Sequence, residues 1–163
     1  MFTSLEALFQ SQLQDALSAE TQLVQALPKM ANAARSTELR EGFQEHLAET
    51  IIQVERLNQV CQMIGCSAGS QICEAMEGLI TEGEEIIESE MEDSVRDAGL
   101  IIAAQKIEHY EIALYGGLCS LAKELGQVDS AEILHLSLEE EKGADEKLTQ
   151  LAESRINREA AAV

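Results

Sequence analysis

Apolar residues recur every three or four positions along most of this chain, the spacing that places them on one face of an α-helix. The first such line runs through residues 4–27. Pro28 either ends this helix or kinks it, and the Ala-rich stretch that follows favours a kinked continuation. The pattern therefore predicts one long helix at the start of the chain.

A second apolar line extends over residues 39–64 and stops at Gly65. Ser36 or Thr37 offers an N-cap just before it, because either side chain can accept a hydrogen bond from the first turn. The short interval between the two lines predicts a helical hairpin.

An acidic interval separates this half of the chain from the next. Residues 74–93 contain nine acidic side chains and no basic one, among short apolar groups. We expect a shorter amphipathic helix in a long crossover over residues 66–93, with the charges on a solvated face. A third long helix follows over residues 93–125, closed by Gly126, and a fourth over residues 129–158.

Gly116 and Gly117 lie inside the third long helix. Each costs about 1 kcal/mol relative to Ala, which indicates close backbone packing or a local bend. Two hairpins joined by a long crossover are the topology of a ferritin-like four-helix bundle. We therefore expect an all-α, ferritin-like bundle with an extra short helix in the crossover, formed as one domain by residues 1–163.

Charge narrows the classes of partner. The net charge of −19 argues against nucleic acid and anionic membrane surfaces, which need clustered Lys and Arg. The start, MFTSLEALFQSQLQ, has neither the basic region nor the apolar region of a signal peptide, so we expect a cytoplasmic protein. The four cysteines form no Cys-x-x-Cys pair, and free, mostly buried thiols are expected.

Several carboxylates fall on apolar faces. Glu20 has apolar neighbours one turn before and after it, and so does Glu111. Glu108 lies one turn before Glu111 on the same face. A buried carboxylate costs several kcal/mol unless a proton, a cation or a metal compensates it, so these residues are candidate metal ligands.

The other two long helices also offer ligands. On the fourth, the inward line selects Glu141 and Asp145, and Glu140 stays open as the alternative to Glu141. On the second, the polar edge of the apolar stripe carries His46, Glu49 and Gln53.

The positions of the candidate ligands along the helix axes indicate that they lie in one layer of the bundle. If the first hairpin turns near residue 35 or 36, Glu20 lies within about 3 Å of the height of Glu49, at 1.5 Å per residue. A turn near residue 127 brings Glu141 to the height of Glu111 in the same way. The one Glu-x-x-His motif, Glu132 and His135, lies about 20 Å away and is rejected as a ligand pair. Oxygen-rich ligation with few imidazoles favours a dinuclear Fe or Mn site.

Several segments resemble the YciF/YciE group of ferritin-like proteins. The resemblance covers nearly the whole chain and is carried by DALSAETQLVQALPKMA, HLAETIIQVERL, CEAMEGLI, DAGLIIAAQKIEHYEIALYG and LEEEKGADEKLTQLA. It implies a rubrerythrin-like bundle, a homodimer, a cytoplasmic location and an association with bacterial stress responses. The family's polar core falls on Glu20, His46, Glu49, Gln53, Glu108, His109, Glu111, Glu140, Glu141 and Asp145.

Two functions remain in competition. A di-metal oxidoreductase would react with peroxide or oxygen or oxidise Fe(II), with Glu20, His46, Glu49, Glu108, Glu111, Glu141 and Asp145 as the candidate ligands. A stress-protective or structural bundle would keep a vestigial or stabilising metal site. The di-metal protein is the expected function, and the structural bundle is the alternative. The alternative gains support because rubrerythrins and ferritins carry a His three residues after each central Glu, where this chain has Ile52 and Ala144.

Overall fold

The computed structural model describes residues 3–66, 69 and 71–163, and these ranges contain helices and no strand. The predictions for the first two residues and for residues 67, 68 and 70 of the crossover lie outside the described residues. The helices are α1 (Leu5–Ala33), α2 (Thr37–Ile64), α3 (Glu74–Glu88), α4 (Asp93–Glu124) and α5 (Val128–Leu151). A π-helical turn, Ala152–Ile156, continues α5 into a last short helix, α6 (Asn157–Ala160).

The helix ends follow local chemistry. Ser36 is the N-cap of α2, and its hydroxyl accepts a hydrogen bond from the Leu39 amide at 3.3 Å. Pro28 lies inside α1, which continues to Ala33 as expected. Gly65 and Gly126 follow α2 and α4 with φ of 71°, a left-handed conformation that glycine adopts without a Cβ penalty.

The bundle consists of two hairpins. α1 packs along α2, and α4 packs along α5. The two hairpins contact each other mainly through α2 and α5. α3 lies in the crossover and packs against α1 and α4. The predicted all-α bundle with an extra helix in the crossover is confirmed. None of the described helices combines the length and apolar character needed to cross a membrane.

A layer of buried polar residues divides the core in two. One apolar cluster surrounds Leu23, Phe43 and Ile107, and the other surrounds Leu13, Leu57 and Leu118. Between them lies the polar layer, which consists of Glu20, His46, Thr50, Gln53, Glu108, Glu111 and Glu141. Because each of the four long helices contributes apolar residues to both clusters, this layer is enclosed by the bundle.

A buried aspartate holds the first hairpin turn against α4. The two carboxylate oxygens of Asp97 accept hydrogen bonds from the backbone amides of Arg35 and Ser36, at 2.8 and 2.7 Å. These amides lie in the turn just before α2, so Asp97 of α4 ties this turn to the other hairpin and places its charge near the N-terminus of α2.

Two further predictions have clear outcomes. All four cysteines are free, and three of them are buried. Close packing at Gly116 and Gly117 is not found, because a Cβ at either position would meet no neighbouring heavy atom within 4 Å.

Candidate metal centre

Side chains from three helices converge in the polar layer. His46 comes from α2, Glu108 and Glu111 from α4, and Glu141 from α5, and together we call them the His–Glu cluster. One ligand atom of each lies within 4.8 Å of the corresponding atoms of the other three. Nε2 of His46 is 3.3 Å from a Glu108 oxygen and 3.8 Å from a Glu141 oxygen. No member is more than 5% exposed.

Most polar atoms of the His–Glu cluster lack a hydrogen bond. Among the described residues, no hydrogen bond of acceptable geometry is made by either oxygen of Glu111, either ring nitrogen of His46, or one oxygen each of Glu108 and Glu141. Buried polar groups normally have such partners, and a buried carboxylate without one costs several kcal/mol. The donor set therefore fits a bound cation, which would satisfy these atoms together.

Burial also shifts the acidity of the cluster. Desolvation raises the pKa of Glu108 and Glu111 well above the usual range, and repulsion from neighbouring carboxylates adds to it. Desolvation likewise raises the pKa of Glu141, against the opposing charge of His46. Without a cation, burial and the neighbouring carboxylates therefore favour the protonated form of these groups more strongly than water does.

Glu20 brings α1 to the edge of this cluster. It is 1% exposed and accepts a short hydrogen bond from the hydroxyl of Tyr115. Its negative charge raises the pKa of Glu111, after the larger effect of desolvation. Desolvation and then the charge of Glu141 raise the pKa of Glu20 itself to about 8. The structure thus places Glu20 beside the four residues of the His–Glu cluster.

Glu49 and Asp145, also predicted as ligands, lie outside the His–Glu cluster. Glu49 is partly exposed, and its carboxylate is 3.7 Å from Nδ1 of His46, on the side of the ring away from Glu108. A carboxylate in that position can orient an imidazole that binds metal through its other nitrogen. Asp145 accepts a hydrogen bond from Gln105 at 3.1 Å and lies 3.4 Å from the exposed His109.

The geometry separates Glu141 from Glu140. Arg56 holds the Glu140 carboxylate through two hydrogen bonds of 2.6 and 2.8 Å, outside the His–Glu cluster. Gln53 donates a short hydrogen bond to Glu141 and one of 3.0 Å to Glu140. Glu141 therefore points into the cluster, whereas the carboxylate of Glu140 neutralises the charge of Arg56.

Arg56 and Tyr115 were not assigned to the site from the sequence. Arg56 lies three residues after Gln53 on the same edge of α2, and this spacing is the signal that could have placed it near the polar layer. Tyr115 lies four residues after Glu111. The rejected pair Glu132 and His135 is exposed and takes no part in the cluster.

Known proteins share this architecture. A family model described as a domain of unknown function, DUF892, matches residues 4–161. Protein YciF of Escherichia coli strain K12 is 48% identical over 158 residues, which cover 96% of this chain and 95% of YciF. The crystal structure of YciF, described as an E. coli stress protein, matches with a TM-score of 0.93 at 47% identity and covers 96% of this chain and 99% of that one.

Two further solved structures are similar. YcfI from Rhodopseudomonas palustris, described as a candidate structural protein, has a TM-score of 0.87 at 40% identity, over 91% of this chain and 98% of its own. A protein from Xanthomonas campestris pv. campestris shares the fold at 21% identity, with a TM-score of 0.74 over 92% of this chain and 91% of its own. Since the family model spans residues 4–161 and the similarity to YciF covers nearly both chains, this chain belongs to the DUF892 family, and its resemblance to the YciF group is confirmed.

Proposed function

We propose that this chain is a stress-associated metal-binding protein whose His–Glu cluster holds iron or manganese. The observation that carries the proposal is the convergence of four buried ligands, with ligand atoms within 4.8 Å, whose polar atoms mostly lack hydrogen bonds. Three carboxylates and one imidazole suit Fe or Mn better than Cu or structural Zn. The association with stress rests on the similarity to YciF, which is described as a stress protein.

The proposal extends to a dinuclear site. Glu20 adjoins the cluster on one side and Glu49 on the other, which supplies further oxygen ligands for a second ion. Two-metal sites hold their ions about 3.5–4 Å apart through shared carboxylates. Such a site would supply redox chemistry toward peroxide or oxygen, while Gln53 and Tyr115 would orient the carboxylates of Glu141 and Glu20 through their hydrogen bonds.

A second candidate function is a non-enzymatic bundle in which the cation only stabilises the fold. Neither Glu49 nor Glu141 is followed by a His at the third position, where Ile52 and Ala144 stand. The similar protein YcfI is described as a candidate structural protein. A cation bound to the native state would add stability in proportion to the logarithm of its concentration over Kd, without any reaction.

The cellular location, the oligomeric state and the partners of the protein are proposed as well. We place it in the cytoplasm as a homodimer, in line with the resemblance to its family, and without nucleic-acid or membrane partners because its net charge is −19. Light scattering of the purified chain tests the dimer.

Metal analysis tests the proposed function. The chain is produced with iron or manganese supplementation, and bound metal is compared between wild type and a Glu108→Gln, Glu141→Gln double variant. We expect wild type to retain up to two ions per chain and the double variant to retain none. Glu140→Gln is the matched control, because it removes the adjacent carboxylate that pairs with Arg56, and it should retain the wild-type amount.

Circular dichroism of the metal-free proteins verifies that each variant keeps its helices. Equal metal retention by the double variant would refute the metal centre. If metal depends on the cluster, consumption of hydrogen peroxide by the loaded protein distinguishes the oxidoreductase from the stabilising site. Peroxide loss no faster than with the metal-free protein would favour the structural function.

A further inference from the structure

A narrow cavity extends from the His–Glu cluster to the exposed Lys147 of α5. It has about 30 Å³ of free volume and lies between α2 and α5, and we call it the neck. Its inner wall includes His46 and Glu108 of the His–Glu cluster, together with Glu49. His46 is 5% exposed and neither of its ring nitrogens makes a hydrogen bond, so a buried potential ligand with unsatisfied nitrogens lines this cavity. The free volume suffices for roughly two water molecules.

The neck adjoins a wide groove on the outside. This groove, which we call the acidic vestibule, has a volume of about 810 Å³ and shares Gly42, Lys147 and Leu151 with the neck. Four carboxylates line it, from Glu38, Glu41, Glu45 and Glu153. All four are exposed.

The charges of the acidic vestibule are only partly compensated. Glu38 pairs with Arg155 at 2.9 Å, and Glu45 lies 3.5 Å from Lys147. Among the described residues, Glu41 and Glu153 have no ion pair. The vestibule is therefore net negative at the outer end of a cavity that leads to a buried cation-ligand set, and a concave surface of one sign concentrates counter-ions.

We infer that the acidic vestibule and the neck form the entrance through which divalent cations reach the His–Glu cluster. This inference rests on the proposed metal centre and adds its route of loading. A hydrated ion is attracted by the carboxylates of the vestibule. It sheds most of its water in the neck, where only about two water molecules fit, and His46 and Glu49 offer replacement ligands at the inner end.

Two residues that line the neck affect the passage of a cation in different ways, one through its charge and the other through its size. Lys147 lines both the neck and the vestibule, so its positive charge opposes the passage of a cation. Gly42 also lines both, in the interior of α2, and a Cβ there would meet no neighbouring heavy atom within 4 Å. A larger side chain at position 42 can thus occupy the passage without a backbone shift.

Loading kinetics test the route. Metal-free protein is mixed with excess Co²⁺ at low ionic strength, and the visible absorption of bound cobalt is followed by stopped flow. Glu41→Gln with Glu45→Gln should slow loading by about threefold or more, since steering by surface charge alters association rates by tenfold or more. Lys147→Gln should accelerate it. These differences should shrink in about 0.5 M salt, where charges are screened within a few ångströms.

Matched controls separate local from global effects. Glu85→Gln with Glu88→Gln removes the same charge from exposed positions on α3 and should load as wild type does. Gly42→Leu should slow loading at every salt concentration because it fills the neck. Gly117→Leu, at an exposed position of α4 that also has space for a side chain, should not.

The final amount of cobalt per chain should equal that of wild type in every variant. Wild type that binds cobalt, with unchanged loading rates in the Gly42, Glu41/Glu45 and Lys147 variants, would overturn the route and leave the metal centre intact. Failure of wild type to bind cobalt or iron at all would overturn both.

Discussion

Burial of Glu20 makes the free energy of unfolding of the metal-free protein depend on pH. Its folded pKa is about 8, against 4.5 for a free glutamate, because burial and the charge of Glu141 disfavour the ionised form. The folded chain therefore binds one more proton than the unfolded chain between these values, and stability is lost as the pH rises through that range. At about 1.4 kcal/mol per pKa unit, the loss is about 1 kcal/mol at pH 5 and about 3 kcal/mol at pH 7.

Glu20→Gln removes this cost because the amide carries no charge. Its carbonyl oxygen can still accept the hydrogen bond from Tyr115, and its amide group can donate to Glu111, whose oxygens have no donor among the described residues. We expect the metal-free variant to be about 3 kcal/mol more stable than metal-free wild type at pH 7 and about 1 kcal/mol more stable at pH 5. Because the charge of Glu20 also raises the pKa of Glu108 and Glu111, the difference between the two proteins measures Glu20 together with its coupling to these residues.

Urea denaturation in the presence of a chelator, repeated from pH 5 to pH 8, measures this difference. Glu55→Gln, at an exposed position on α2, is the control and should change stability by less than about 0.5 kcal/mol at every pH. A Glu20→Gln variant that is no more stable than wild type at pH 7, or whose advantage does not grow with pH, would refute the reasoning. The sign should reverse with saturating metal if Glu20 is a ligand, because the variant then loses binding energy.

Two other predictions concern the fold. Asp97→Ala should destabilise the chain by about 3 kcal/mol, because two backbone amides lose a charged acceptor, whereas the exposed Asp93→Ala should cost less than about 1 kcal/mol in the same urea titration. Gly117→Ala should stabilise the chain by about 1 kcal/mol, since it improves helix propensity in open space, and Gly65→Ala should destabilise it by about 1 kcal/mol because its φ is 71°. Thermal denaturation distinguishes the two glycines, and shifts of equal sign would contradict this account.

The helix pattern located most of the candidate site before any tertiary information. A helical period of 3.6 residues determines which face a side chain occupies, so Glu20, Glu108 and Glu111 could be assigned to the interior from their apolar neighbours alone. All three are buried in the polar layer. The short hairpin turns also determined heights, because each residue advances a helix by a constant 1.5 Å.

The placement of Glu49 and Asp145 could not be predicted in this way. Both lie at suitable heights, but a difference of a few tens of degrees around the helix axis decides whether a side chain enters the cluster or stays at its rim. Glu49 lies on the outer side of His46, and Asp145 is turned toward Gln105. Periodicity resolves such angles poorly, since neighbouring positions on a helix differ by about 100° and the packing of each helix sets its rotation.

The amino-acid sequence by itself determined the helices, their caps at Ser36, Gly65 and Gly126, the two hairpins, and the presence of carboxylates on buried faces. These features depend on local interactions and on short turns. Only the tertiary structure decided how one hairpin faces the other. The pairing of Arg56 with Glu140, the hydrogen bond from Tyr115 to Glu20 and the neck between α2 and α5 all join residues of different hairpins. A long crossover leaves that relation free, so side-chain packing across the polar layer determines it.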